Sequence, residues 1–202
     1  MKILAVYGST GHESQSLKMI SLMAESARAE GAELEMLDLL TTPLPMFRAD
    51  CSFADDALVA SVRGQCLEAD GFMLVSPEYH GCMSNWMKNF FDFHYHEFAG
   101  KLFALAASTG GSMGVSVNTQ MRVAVQHCHG WALPYQAAVR TSDLAPSGEI
   151  VNSSAVDRLQ RMGRDLVCYG RLLRSRFVAD RSQAAEVSAE HKSAYGFAGW
   201  YA

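Results

Sequence analysis

Short, wholly apolar runs alternate along this chain with longer segments whose apolar residues recur every three or four positions. Ile3–Tyr7 is one such run, and it ends at Gly8. It predicts a central parallel strand covered on both faces. Next, Leu17, Ile20, Ala24 and Ala27 fall on one helical face, and Gly31 supplies the stop. Residues 33–39 predict a second strand. A second helix follows through Leu58, Val62, Cys66 and Ala69. A third strand starts at Gly71 and runs to Ser76. Ser84 is placed to cap a third helix over residues 85 to about 95.

Lys101–Ala107 reads as strand four, and a glycine-rich turn leads from it into a helix ending at Gly130. Ala132–Val139 reads as strand five, with Pro134 pointing to a sheet edge. The longest periodic stretch comes last: Val156, Leu159, Gly163, Leu166, Gly170, Leu173 and Phe177 keep a 3–4 spacing, with Arg and Asp on the opposite side. Five strand–helix repeats predict an α/β domain around a mainly parallel sheet, over residues 1–179. Residues 180–202 have no clear period and read as an appended tail. Four aromatics crowd its last eight residues, so docking on its own or a neighbouring subunit is expected.

In open parallel sheets, ligands gather beyond the carboxyl ends of the strands. Three loops therefore carry the candidate chemistry. The loop after strand one holds Ser9, Thr10, Ser14 and Ser16 at the start of a helix. Hydroxyls, backbone N–H groups and the helix dipole there suit a phosphate, while a plain capping role for Ser14 or Ser16 stays open. It is neither a Walker loop nor a GxGxxG fingerprint. The loop after strand three reads Ser76-Pro77-Glu78-Tyr79-His80-Gly81. Glu78 and His80 could be an acid–base pair, or the turn could be a backbone platform. The loop after strand four, Ser108-Thr109-Gly110-Gly111, brings its backbone and that of Gly114 close to something flat or tightly packed.

The bulk numbers narrow the field. With 202 residues, 49% hydrophobic and 19% charged, the chain can bury one core. A net charge of −4 gives no footprint for nucleic acid or an anionic membrane surface. The five cysteines are scattered without a CxxC, which argues against a disulfide framework or a metal cluster. His127 and His129 flank Cys128, but alternate helical residues diverge. No apolar run approaches a membrane span and nothing resembles a leader, so a cytoplasmic protein is expected.

These residues also carry a resemblance. Gly8-Ser9 with Ser14 and Ser16, Pro77-Glu78-Tyr79-His80-Gly81-Cys82 with Met87-Lys88-Asn89, and Ser108-Thr109-Gly110-Gly111 together resemble the NAD(P)H-dependent FMN reductases of flavodoxin-like fold. The resemblance covers residues 1 to about 175. Gly11, His80 and Ser84 stand where the family pattern has Arg, Asn and Pro.

It implies a five-stranded parallel sheet in the order 2-1-3-4-5 with helices on both faces. It implies FMN held by the three loops, with the Glu78–Gly81 turn as a platform for the isoalloxazine and no catalytic side chain required. It implies NADPH or NADH as reductant, a small-molecule acceptor such as a flavin, quinone, azo dye or metal oxyanion, and a homodimer or homotetramer. An electron carrier of flavodoxin type and a flavin-free phosphate-binding protein are the competing readings.

Overall fold

The computed structural model describes residues 1–8 and 14–202. Five parallel positions build the sheet. β1 (Lys2–Tyr7) lies between β2 (Glu33–Asp38) and β3 (Gly71–Tyr79), and β5 (Leu102–Thr109) lies beyond β3. The far edge is filled by two short strands, β6 (Trp131–Ala132) and β7 (Ala137–Arg140), both parallel to β5. This is the expected 2-1-3-4-5 order, with the fifth position divided. The division has a physical cause: Pro134 lies between β6 and β7, where it cannot donate to a ladder. A two-residue strand, β4 (Cys82–Met83), folds back antiparallel on the end of β3 and brings the count to seven.

Alternation along β1 divides the core. Leu4 and Val6 face one side with Leu37, Phe72 and Phe103, under α2 (Ala57–Glu68), α3 (Asn85–Asp92) and α4 (Val115–His127). Ile3, Ala5 and Tyr7 face the other side, under α1 (Gln15–Ala29) and α5 (Ser153–Ala185). Phe72 and Phe103 stack at 4.6 Å on neighbouring strands, beneath the edge of Phe98.

The first two helices bury the expected faces except at their first turns. In α1, Ile20, Ala24 and Ala27 are buried as the spacing predicts, joined by Met19 and Met23, while Leu17 is exposed. In α2, Val62 and Cys66 are buried, as is Ala69 just beyond it, joined by Val59, while Leu58 is exposed.

Lys101, just before β5, is buried. Its ammonium donates to the carbonyls of Cys66 (2.6 Å) and Leu67 (3.0 Å), at the negative end of the α2 dipole. Burial, with the Arg174 charge nearby, pulls its pKa down to about 7.

α5 runs unbroken past residue 179 to Ala185. Beyond it, Ala189–Tyr201 forms 3-10 turns that break at Tyr195 and Gly196. This segment returns to the body of the chain: Phe197 lies 5.3 Å and Tyr201 5.9 Å from the Phe177 ring, ring centre to ring centre. The Tyr201 hydroxyl and His129 Nδ1 share a hydrogen bond.

Candidate functional site

The carboxyl ends of β1, β3 and β5 end side by side, so the three candidate loops share one rim. Ser9 and Thr10 lie outside the described residues. Ser14 caps α1, with its hydroxyl accepting from the amide of Leu17 at 3.3 Å. Ser16 is buried, and its hydroxyl lies 3.1 Å from that of Ser108, tying the first turn of α1 to the end of β5. Gln15 adds a bond from Nε2 to the carbonyl of Val139 at 2.8 Å. Three of the expected hydroxyls, those of Ser14, Ser16 and Ser108, thus have partners within the rim and hold it together.

β3 does not stop at Ser76. It continues through Pro77 and Glu78 to Tyr79, and the chain reverses at His80-Gly81 into β4. Both turn residues have positive φ, 53° for His80 and 75° for Gly81, the signature of a type I′ hairpin. That hand matches the twist of the flanking strands. It favours Asn, Asp or Gly at the first position, and here His80 carries the left-handed strain. The hairpin therefore begins where the sequence placed only a turn. Ser76 secures its base by accepting from the amide of Ser84 at 2.9 Å, and Ser84 in turn caps α3.

Glu78 and His80 do not form a dyad. The Glu78 carboxylate accepts from the Ser112 hydroxyl, and no hydrogen bond joins Glu78 to His80 among the described residues. Tyr79 and His80 are exposed on the tip.

The third loop separates its glycines by role. A side chain at Gly110 or Gly111 would meet no protein atom within 4 Å, so there the backbone lies open. Gly114 is the tightly packed one: its φ is 63°, and an added Cβ would come within 2.8 Å of Ala138 and 3.1 Å of Ala107. Thr109 is buried, and its hydroxyl donates to the Ser112 carbonyl at 2.7 Å, closing the loop on itself. Next to it, Arg140, then the Asn152 amide, holds Asp143 well below the usual carboxylate range.

Three residues that the sequence did not single out complete this rim: Ser112, Ser116 and Gln120. Ser116 and Gln120 stand four apart on α4, a spacing that places them on one face. Each of the three bonds the hairpin.

From the hairpin a groove of about 1020 Å³ opens between α3 and α4. Met83, Phe91, Phe93, Tyr95 and Val123 form much of its wall.

A phosphate-bearing planar cofactor suits this rim. α1 offers its N-terminus with two hydroxyls, Gly110 and Gly111 offer open backbone, and the turn offers the amides of His80 and Gly81, which have no partner among the described residues. The sequence pattern of the NADPH-dependent FMN reductases matches residues 1–143. The chain belongs to that family.

It is 30% identical over 204 residues to the NADPH-dependent FMN reductase ArsH of Rhizobium meliloti (strain 1021), covering 94% of this chain and 81% of the relative. It is 28% identical over 150 residues to the FMN-dependent NADPH-azoreductase of Staphylococcus aureus (strain USA300), covering 72% and 80%. Among solved structures, the flavoenzyme NAD(P)H:(acceptor) oxidoreductase FerB of Paracoccus denitrificans superposes with a TM-score of 0.68 at 18% identity, over 84% of this chain and 97% of that one. An archaeal flavodoxin superposes at 0.58 and 14% identity, over 85% and 99%, so the fold is flavodoxin-like. Family membership makes the protein an oxidoreductase that works with FMN and NADPH. None of the described helices is long and apolar enough to cross a membrane.

Proposed function

We propose that the chain holds FMN in the three-loop rim and uses NADPH to reduce a small-molecule acceptor. The observation that carries this reading is the rim itself: three loops at the carboxyl ends of β1, β3 and β5, cross-tied by Ser16–Ser108 and Ser112–Glu78, with bare backbone at Gly110 and Gly111. When bound, FMN would supply hydride chemistry at N5, between NADPH and a flavin, quinone, azo dye or metal oxyanion.

The chain supplies binding and orientation. Ser9, Thr10, Ser14 and Ser16 would hold the phosphate together with the α1 N-terminus. With Gly11 in place of the family's Arg, hydroxyls and amides would carry a larger share of that grip. Pro77, Glu78, Tyr79, His80 and Gly81 would form one wall of the ring site. Ser108, Thr109, Gly110 and Gly111 would form the other.

The test begins with the visible spectrum of the purified protein. Heat-released cofactor should co-elute with FMN, and NADPH should be consumed steadily with a quinone present. Recovery of FAD would overturn the cofactor reading. FMN without NADPH turnover would make the chain an electron carrier.

A second copy of the chain is the occupant we assign to the α3–α4 groove. The groove is continuous with the flavin hairpin through Cys82 and Met83, and Val123 on its wall is 59% exposed. A contiguous aromatic and aliphatic surface of this kind is characteristic of subunit interfaces. Val123→Glu should convert the dimer to monomer in light scattering. A wild-type chain that is monomeric at micromolar concentration would dismiss the assignment.

A further inference from the structure

The carbonyl oxygen of Gly81 is held twice from one helix. Ser116 Oγ donates to it at 2.6 Å and Gln120 Nε2 at 3.0 Å. Gln120 also accepts from the amide of Met83 at 3.4 Å, and its Nε2 lies 3.6 Å from Cys82 Sγ, so it grips the returning arm of the hairpin as well. One turn earlier, Ser112 donates to Glu78 on the outgoing arm and accepts from the amide of Gly114 at 3.1 Å. Residues 112–120 thus pin the hairpin on both sides of its tip. A pair of strands this short, at the rim of a sheet, is marginal without such support.

The pinning has a directional consequence. With its oxygen committed to α4, Gly81 has no acceptor to offer a ligand. The amides of His80 and Gly81 have no partner among the described residues. At Gly81 the tip therefore has a donor and no free acceptor to present. Its conformation is set before any ligand arrives, so binding does not have to order it.

We infer that Ser116 and Gln120 are positioning residues for the flavin: by holding the Gly81 carbonyl they fix the tip in the shape that turns the free amides of His80 and Gly81 to the isoalloxazine edge. This rests on the FMN reading above. Ser116 and Gln120 act on the ring only through the hairpin, as supports that keep it in register with the open backbone at Gly110 and Gly111.

The experiment is FMN titration into apoprotein, read by flavin fluorescence, with visible circular dichroism of the bound flavin at saturation. Ser116→Ala/Gln120→Leu should weaken FMN about tenfold, the loss expected from removing two neutral hydrogen bonds. It should also change the dichroism of the flavin that still binds. Ser116→Thr keeps a hydroxyl and should restore wild-type affinity and spectrum when paired with native Gln120. If the double variant fails to fold, Ser116→Ala alone, at an exposed position, should give about a threefold loss with the same spectral change. Wild-type affinity and an unchanged spectrum in the folded double variant would overturn the inference while leaving the cofactor reading intact. A wild-type chain that takes up no FMN would overturn both.

Discussion

Gly163→Val should leave little soluble, folded protein. α1 and α5 cross on the face of the sheet that carries Met73 and Val75, and Gly163 sits at the crossing. An added Cβ would overlap the backbone carbonyl of Met23, with the Met23 carbonyl carbon at 2.8 Å and its Cα at 3.0 Å. Because the obstacle is main chain inside a helix, no rotamer change can clear it, and the two helices would have to separate. Overpacking against side chains costs about 1–3 kcal/mol, and a backbone obstacle that cannot yield costs more. Against a total stability of about 5–15 kcal/mol, separation of the longest helix from α1 is close to complete loss.

Gly170, seven residues on, is a useful contrast. There the nearest obstacle is the flexible end of Met1, which can move aside. Gly64, inside α2, has nothing within 4 Å, so Gly64→Ala should gain about 0.5–1 kcal/mol. Thermal melts of Gly163→Val and Gly64→Ala check the ordering. A Gly163→Val protein melting within a few degrees of wild type would show that the crossing is loose.

That glycine was visible in the sequence as one of seven positions on a 3–4 spacing, and the order of elements was visible for the same reason. Apolar runs flanked by glycine mark the strands of a parallel sheet, and periodicity marks the helices over them. What periodicity does not determine is where the buried face ends. Ile20, Ala24, Ala27, Val62 and Cys66 lie inward as the spacing predicts, but Leu17 and Leu58, in the first turns of their helices, stay exposed while Met19, Met23 and Val59 are buried. The edge strand was legible as an edge, and the Pro134 that marked it as one also lies where it is interrupted.

The rim divides in the same way. Its three loops were legible because they are local in sequence, end strands, and are rich in Gly and Ser. The hairpin was partly legible: His-Gly is a weak form of the Asn-Gly signal, and Pro77 inside β3 disguises the strand's extension. The supports were not legible at all. Ser112 to Glu78, Ser116 to Gly81 and Gln120 to Gly81 join residues 34, 35 and 39 apart, through single side chains of a loop and of the helix after it, with no pattern of their own.

Gly81→Val should release FMN while leaving the fold in place. The position needs glycine for its backbone rather than for space. Its φ is 75°, whereas the nearest protein atom to an added Cβ is Ser116 Oγ at an ordinary 3.7 Å. An L residue in the left-handed region costs about 1–2 kcal/mol, and a β-branched one is a steric outlier there. The hairpin has two ways to respond. It can carry the strain, or it can leave the type I′ turn and lose the bonds from Ser116 and Gln120 to the Gly81 carbonyl. Either response moves or weakens the donor edge, and a loss of about 1.4–2.8 kcal/mol is a ten- to hundredfold rise in the FMN dissociation constant. The melting temperature of the apoprotein should change little, because the tip lies at the rim and carries no core residue. Gly81→Asn tolerates positive φ and should bind FMN between wild type and the valine variant. Glu78→Gln keeps an acceptor for Ser112, and His80→Asn suits the first position of the turn. Both should retain FMN and turn over within about tenfold of wild type, under about 1.4 kcal/mol of barrier. General acid–base catalysis would be worth about a hundredfold or more. So a hundredfold fall in kcat with FMN still bound, in either of these two, would assign the tip a catalytic side chain in place of a backbone platform.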